Sequence, residues 1–262
     1  MERLLLPLTL LSCLTASAGT LPSPEQLFRA AVAVHAAQQD WKYTYREDDE
    51  SFTLNKKGQR LPSKTPTPNQ TFDVVMLEGE PYHKLVLIDG KPLDEQTQEQ
   101  VNQDLERERA IRQQPKKTPA VPGFHLSTVK IEQLEQLFET KVTGEETVLG
   151  RKTWRLESVP RRNVQPTPIQ GGMVATRVAT WIDQQDGVEI KQTSSLVAKD
   201  PKAGAATELT LEFSKIGEAW LLDTAHIRTD VKIGAKEHAY REMDVRCYAY
   251  KRLTADSAIV TP

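Results

Sequence analysis

The chain has 262 residues and a formal net charge of −2, with 34 basic and 36 acidic side chains. This balance gives no electrostatic field for recruiting nucleic acid, so we exclude nucleic acid as a partner. A chain of this length is large enough to bury one sizeable core.

The first 18 residues have the pattern of a secretory signal. Their apolar stretch over 4–14 is too short for the roughly 20 residues that a membrane-spanning helix needs. Ala16 and Ala18 then place small residues where a signal peptidase reads the chain. We therefore predict a signal peptide over 1–18, with a buried cytoplasmic helix as the alternative.

Cleavage after residue 18 would leave 19–262 as the mature chain. We predict that it forms one domain, because no repeat or long low-complexity tract divides it. Cys247 would be its only cysteine, so no intramolecular disulfide could form. The segment ending at Cys13 also resembles a lipidation signal, which leaves a membrane-anchored lipoprotein open. Either form places the protein in the periplasm or outside the cell, with peripheral membrane contact and the oligomeric state undecided.

The first half of the mature chain predicts a helix followed by strands. Ser23 and Gln26 form a capping-box pattern, which predicts a helix over 24–39 with a face of small apolar residues. Alternating aromatic and polar residues predict a half-buried strand directly after it. Two further strands are predicted over 72–76 and 82–88.

Two more helices are predicted in the middle of the chain. The segment 94–114 is very polar, and only Val101, Leu105 and Ile111 offer an apolar seam, so we place this helix on the outside. A second amphipathic helix is predicted over about 127–138.

The second half reads as a run of antiparallel strands with short links. The clearest is 208–213, where Leu209, Leu211 and Phe213 alternate with polar residues. A sheet of at least eight such strands would curl if it stayed open. We predict an α+β fold, a strongly curved antiparallel sheet (an open, incomplete β-barrel) wrapped on two or three helices.

No motif for catalysis or metal binding stands out. The five histidines are scattered singly, no nucleophile-elbow or phosphate-binding pattern occurs, and Cys247 falls on the apolar face of a strand. The acidic run 47–50 lacks the spacing of a calcium loop, so we interpret it as a solvated strand end. We therefore predict no enzyme activity, no metal and no cofactor.

One strand has apolar residues on both faces. Trp220 alternates there with Ala219 and Leu221, and such a strand needs cover on both sides or an apolar ligand on one. The alternative is that the tryptophans simply fill a core.

The order of these features resembles a known group of bacterial envelope proteins. The segments that carry the likeness are WKYTYRE at 41–47, GRKTWRL at 150–156, TWID at 180–183 and DGVEIK at 186–191. Together they resemble the outer-membrane lipoprotein-sorting carriers, the LolA/LolB-like superfamily, and especially its secreted, uncharacterised members.

The resemblance implies an incomplete barrel whose helices cover a hydrophobic cavity. Proteins of this kind bind acyl chains of lipoproteins or other amphiphiles and catalyse nothing. We therefore expect a hydrophobic ligand or a lipidated protein as partner. The alternative is a protein–protein interaction module with a filled interior. The candidate ligand-binding residues are Trp181, Trp220, Leu222, Leu87 and Met76.

We expect the exported protein to begin at Gly19, because Ala16 and Ala18 form the cleavage signal. Intact mass spectrometry of the protein isolated from its own envelope measures the N-terminus. Growth with a palmitate analogue provides the counter-test: incorporation that is lost in Cys13→Ala would contradict cleavage at residue 18.

Overall fold

The computed structural model describes residues 21–38, 42–62, 67–114, 136–162, 173–198, 205–232 and 238–253. The helices in these ranges are α1 (Pro24–Gln38) and α2 (Glu95–Gln113). The strands are β1 (Tyr43–Leu54), β2 (Gln70–Leu77), β3 (Glu80–Ile88), β4 (Lys91–Pro92), β5 (Phe138–Val148), β6 (Arg151–Pro160), β7 (Met173–Asp183), β8 (Glu189–Ala198), β9 (Ala205–Ile216), β10 (Ala219–Lys232) and β11 (His238–Arg252).

These strands form one antiparallel sheet in the order β4-β3-β2-β1-β11-β10-β9-β8-β7-β6-β5. Neighbours in the sheet are neighbours in the chain except at the centre, where β1 pairs with β11. The two ends of this order, β4 and β5, do not pair with each other, so the sheet is not closed into a barrel. The predicted open, curved antiparallel sheet is confirmed, with eleven strands where at least eight were expected.

Alternation along each strand gives the sheet two different faces. Leu156 of β6 packs with Phe28 and Ala31 of α1, and we name this side the helix face. The adjacent residues Arg155 and Glu157 point to the opposite side, which we name the charged face. Cross-strand partners continue the helix face through neighbouring strands, in the order Leu156, Thr180, Gln192, Leu211, Ala225, Val245 and Asp49.

Helix α1 covers the part of the helix face formed by β6, β7 and β8. The predicted capping box is present, because the Gln26 N–H donates to Ser23 Oγ at 3.2 Å and the Ser23 N–H donates to Gln26 Oε1 at 3.0 Å. Phe28 inserts into the core, and Ala31 is fully buried, which lets the helix lie close to the sheet. The predicted helix with a small-residue face is confirmed over the described range.

Helix α2 is the polar helix that the sequence predicts over 94–114. Asp94 caps its start by accepting from the Thr97 N–H at 2.7 Å. Near its end, Arg112 donates to the backbone carbonyls of Leu77, Glu80 and Pro81. The helix is thereby tied to the β2–β3 hairpin by one nearly buried guanidinium.

Several expectations fall on other parts of the chain. The predicted signal peptide over 1–18, including Cys13, lies outside the described residues. Most of the helix predicted over 127–138 also lies outside them, and its last residue, Phe138, begins β5 instead. Within the described ranges, neither helix is long and apolar enough to cross a membrane.

A bulge in β11 puts an alanine in a left-handed conformation. Ala249 has φ +54°, and the pairing of β1 with β11 shifts register nearby, between Thr44 and Arg46. Left-handed φ brings the Cβ of an L-residue close to its own backbone and costs about 1–2 kcal/mol. The bulge allows Tyr45 and Tyr250 to meet on the same side of the sheet, with ring centroids 4.9 Å apart.

Replacing Ala249 by glycine should stabilise the protein. We expect Ala249→Gly to raise the free energy of unfolding by about 0.5–1 kcal/mol, since relief of the left-handed strain exceeds the entropic cost of glycine. Ala239→Gly in the same strand is the matched control and should lower it by a similar amount. Urea denaturation measures both, and a loss of stability in Ala249→Gly would contradict the expectation.

Candidate functional site

An apolar cluster, whose six central residues are only 1–7% exposed, lies on the helix face beyond the strands that α1 covers. We name it the strand floor, and its buried residues come from β9, β10 and β11: Leu209, Leu211, Ala225, Ile227, Val245 and Cys247. Partly buried hydrophobic residues packed against it are Tyr45, Phe213, Leu222, Met243 and Tyr250. In the described ranges, this set contains residues of the sheet and none from α1 or α2.

Two carboxylates border the strand floor. Glu47 lies opposite Cys247, and Asp49 lies opposite Val245 in the β1–β11 ladder. Glu47 is only 8% exposed, and one of its oxygens lies 3.2 Å from Nε2 of His83. The expectation that the acidic run 47–50 is a solvated strand end is wrong, because β1 continues to Leu54 and its alternation turns two of the four acids inward.

The surroundings of the strand floor disfavour charge. Burial raises the pKa of Asp49 to about 7, and Glu47 adds to the effect by repulsion. Oδ1 of Asp49 is buried without a hydrogen-bond partner among the described residues. Burial likewise raises the pKa of Cys247 to about 12, so this thiol stays protonated at neutral pH.

An aromatic pair closes one end of the strand floor. Tyr45 stacks on Tyr250, and the Tyr250 hydroxyl donates to the carbonyl of Leu222 at 2.6 Å. Burial raises the pKa of both phenols. The two rings are thus held by packing and a backbone hydrogen bond, and they offer a rigid apolar wall.

The predicted ligand-binding residues do not converge on one place. Leu222 packs against the strand floor. Trp220 and Trp181 belong to a different cluster, near Val188 and Ile190. Met76 of β2 and Leu87 of β3 are half-buried and belong to neither set. The structure therefore brings the two tryptophans together and leaves the other three residues apart.

Trp181 lies on the charged face. Its indole N–H donates to Glu146 at 2.7 Å, and the charged groups of Arg155 and Lys191 lie 5.5 and 5.7 Å from its ring. The hydrogen bond from Trp181, followed by that from Arg155, lowers the pKa of Glu146. These contacts give Trp181 a structural role as the centre of a cation–aromatic network.

Sequence reasoning missed the two inward-facing acids. The signal was present, because Glu47 and Asp49 stand at the same spacing as Tyr43 and Tyr45 in a strand already read as half-buried. The sequence pattern also places Leu209 and Leu211 on the apolar side of a strand, but it does not assign them to a binding site.

Ion pairs between neighbouring strands neutralise most of the charged face. Arg155 bridges Glu146 and Glu157, and Lys191 pairs with Glu212 at 2.8 Å. This part of the charged face, around Trp181, is already satisfied by its own partners and is poorly suited to holding an apolar ligand.

An ion pair between the half-buried Arg151 and the buried Asp183 fixes the end of β7. Burial alone would raise the pKa of Asp183, but hydrogen bonds from Arg151 and from the backbone N–H of Asp186 outweigh it, and the pKa is lowered. Arg151 Nε donates to Asp183 Oδ2 at 2.6 Å. The carboxylate is therefore charged and structural.

One trio on the charged face has metal-ligand atoms close together. His226, Glu242 and Asp244 each place one such atom within 4.8 Å of the others. However, Arg60 donates to both carboxylates, and Arg228 approaches Glu242 at 3.5 Å. The negative charge of the trio is thus already neutralised by guanidinium groups, and this donor set does not fit a metal ion.

A cavity of about 400 Å³ also opens on the charged face, at the ends of β8 to β11. None of the five predicted ligand-binding residues lines it.

Comparisons with known proteins show similarity at the level of solved structures only. No protein-family model matches the chain, and neither does any curated protein. A domain from Vibrio parahaemolyticus assigned as that of an outer membrane lipoprotein-sorting protein is similar with a TM-score of 0.41 and 13% identity, over 89% of this chain and 94% of that one.

Two further solved structures are similar over most of their length. A DUF1329 family protein from Desulfovibrio piger gives a TM-score of 0.35 and 12% identity, covering 91% of this chain and 98% of its own. A LolA superfamily protein from Nitrosomonas europaea gives 0.36 and 8%, covering 92% and 99%. A LolA superfamily protein, the group that the sequence resembles, is thus among the solved structures to which this chain is similar. No role is assigned from likenesses this low.

Asp49 should make stability depend on pH. Its pKa rises from 3.8 to about 7 on folding, so the folded state binds more protons than the unfolded state between these values. The stabilising contribution is complete below about pH 4 and is lost as the pH rises to 7. We expect wild type to lose roughly 1–2 kcal/mol relative to Asp49→Asn between about pH 4 and pH 8, after discounting for solvent screening of a half-buried group.

Urea denaturation at the two pH values measures this difference. Glu50→Gln is the matched control, because Glu50 is exposed and its side chain points to the charged face. Parallel pH profiles for wild type and Asp49→Asn would rule out the proposed protonation of Asp49.

Proposed function

We propose that this chain is an exported, non-catalytic binding protein of the bacterial cell envelope. Its ligand is hydrophobic, either a lipid or the acyl chain of a lipoprotein, and it lies on the strand floor of the helix face. The observation that carries the proposal is the composition of that surface, where three adjacent strands contribute six apolar side chains to one continuous patch.

The energetics favour an acyl chain over a polar ligand. Each methylene group removed from water contributes roughly 0.8 kcal/mol, so about ten of them would supply micromolar affinity before the costs of ordering. Leu211, Ala225 and Val245 are cross-strand neighbours, and together they form an apolar track across the sheet. A flexible chain can follow such a track without specific hydrogen bonds.

The ion pairs on the charged face favour the helix face as the site of the acyl chain. The Arg155 and Lys191 pairs described above already satisfy the polar groups there, and burying them under an apolar chain would cost desolvation energy. The same contrast between faces is what a carrier needs in order to stay in water while holding an apolar ligand.

The ligand itself can be sought directly. Native mass spectrometry of the protein purified from its own envelope should show a bound amphiphile. Consistently ligand-free protein with an interior filled by side chains would instead favour an interaction module that binds another protein.

A bulky side chain on the strand floor should block binding. We expect Ala225→Phe to weaken binding of a dansyl-labelled undecanoic acid by about tenfold or more, because the added ring occupies the apolar track. Fluorescence titration measures the dissociation constant, and circular dichroism confirms that the variant is folded.

Thr224→Phe is the matched control, because it adds the same ring to the same strand on the charged face. It should leave the dissociation constant unchanged. Val245→Phe serves as a second test if Ala225→Phe does not fold. Equal effects of the helix-face and charged-face variants would refute a site on the strand floor.

A further inference from the structure

The cavity on the charged face has a floor built by five neighbouring strands. Leu54 pairs with Tyr240, Asp230 pairs with both Tyr240 and Ala206, and Ala206 pairs with Val197. These residues therefore form one cross-strand row, and all of them line the cavity. Four of the five are apolar or aromatic, so the floor is an apolar strip with one acid in it.

The acid in this strip, Asp230, already has a hydrogen-bond partner. Asp230 lies 2.6 Å from Nδ1 of His238, and the His238 ring stacks on Tyr240. An organic molecule lying on the strip would thus meet a hydrogen-bonded carboxylate and the ring of Tyr240.

The turn after β1 forms the roof of the cavity and is held in place. Oδ1 of Asn55 accepts from the N–H of Lys57 at 2.8 Å and of Gln59 at 3.1 Å, which fixes the turn internally. Arg228 donates to the carbonyl of Gly58 at 3.0 Å and joins the turn to the sheet. Gly58 has φ +75°, a left-handed conformation that glycine adopts without steric cost, so glycine favours this closure.

Charge is distributed unequally around the cavity. Lys56 and Lys57 in the roof are exposed and make no ion pair within the described ranges. Glu208, the cross-strand neighbour of Arg228, also lines the cavity and likewise makes no ion pair there. Arg228 is engaged with Gly58 and Glu242. An anionic group is therefore attracted to Lys56 and Lys57 and repelled from Glu208.

We propose that this cavity is a second binding site, separate from the strand floor, for a small organic anion with an apolar body. The apolar body lies on Val197, Ala206 and Tyr240, and the anionic group lies beside Lys56 and Lys57. The volume of about 400 Å³ is within the range of about 300–1,000 Å³ that small-molecule sites occupy. The fixed turn means that the site is formed before the ligand arrives, which lowers the cost of binding.

A matched pair of fluorinated probes tests the site. Fluorine NMR titration compares 4-(trifluoromethyl)benzoate with 4-(trifluoromethyl)benzyl alcohol, which has the same apolar body and no charge. We expect the benzoate to bind about fivefold or more tightly than the alcohol, and this preference should shrink as salt is added. Equal affinity for the two probes, or no binding of either, would overturn the proposal.

Variants locate the binding. The double change Lys56→Ala with Lys57→Ala should remove the preference for the benzoate and leave binding of the alcohol unchanged. The control, Lys141→Ala with Lys251→Ala, removes two exposed lysines elsewhere and should have no effect. Ala206→Trp fills the floor and should abolish binding of both probes.

The site is independent of the proposed acyl-chain site. Ala225→Phe on the helix face should leave benzoate binding unchanged, even if it abolishes acyl-chain binding. Loss of benzoate binding in Ala225→Phe, or in the Lys141 and Lys251 control, would contradict a separate site under the Asn55–Gln59 turn.

Discussion

The pairing of the first strand with the last is the constraint on which the rest of this structure depends. β1 and β11 join along their length at the centre of the sheet, and this brings Glu47 beside Cys247 across 200 residues of chain. The strand floor and the cavity on the charged face both include residues from this seam. Without it the chain would form two smaller sheets, the strand floor would lose Tyr45, and the cavity would lose Leu54 and the turn that follows it.

The same seam gives opposite environments to adjacent residues. Asp49 turns toward the strand floor, where burial favours its neutral form, whereas Glu50 turns outward and accepts from the side-chain amide of Asn69 at 3.2 Å. The side chains on the charged face are satisfied largely by pairing across strands, and those on the helix face by packing. The protein therefore separates an apolar side from a charged side within a single layer of strands.

Much of the fold could be predicted, because strands and caps are encoded locally. Ser23 and Gln26 identify the start of α1, the polar pattern after Asp94 identifies α2, and the alternation around Leu209 and Leu211 identifies β9. The candidate site was harder to predict. The sequence predicts Trp181 as a ligand-binding residue, yet its neighbours across the sheet are Arg155 and Lys191, and these are set by strand register. A shift of one residue would have turned the same side chain to the helix face.

The sequence by itself determined the class of the protein, an open antiparallel sheet with early and middle helices, because hydrophobic periodicity is a property of each segment alone. Only the tertiary structure decided which strands are neighbours, that Glu47 and Asp49 lie inside, and that a turn closes over Val197 and Ala206 to leave a cavity. The physical reason is that strands pair through backbone hydrogen bonds, which are the same for almost every sequence. Partner choice is settled by the packing of the whole sheet.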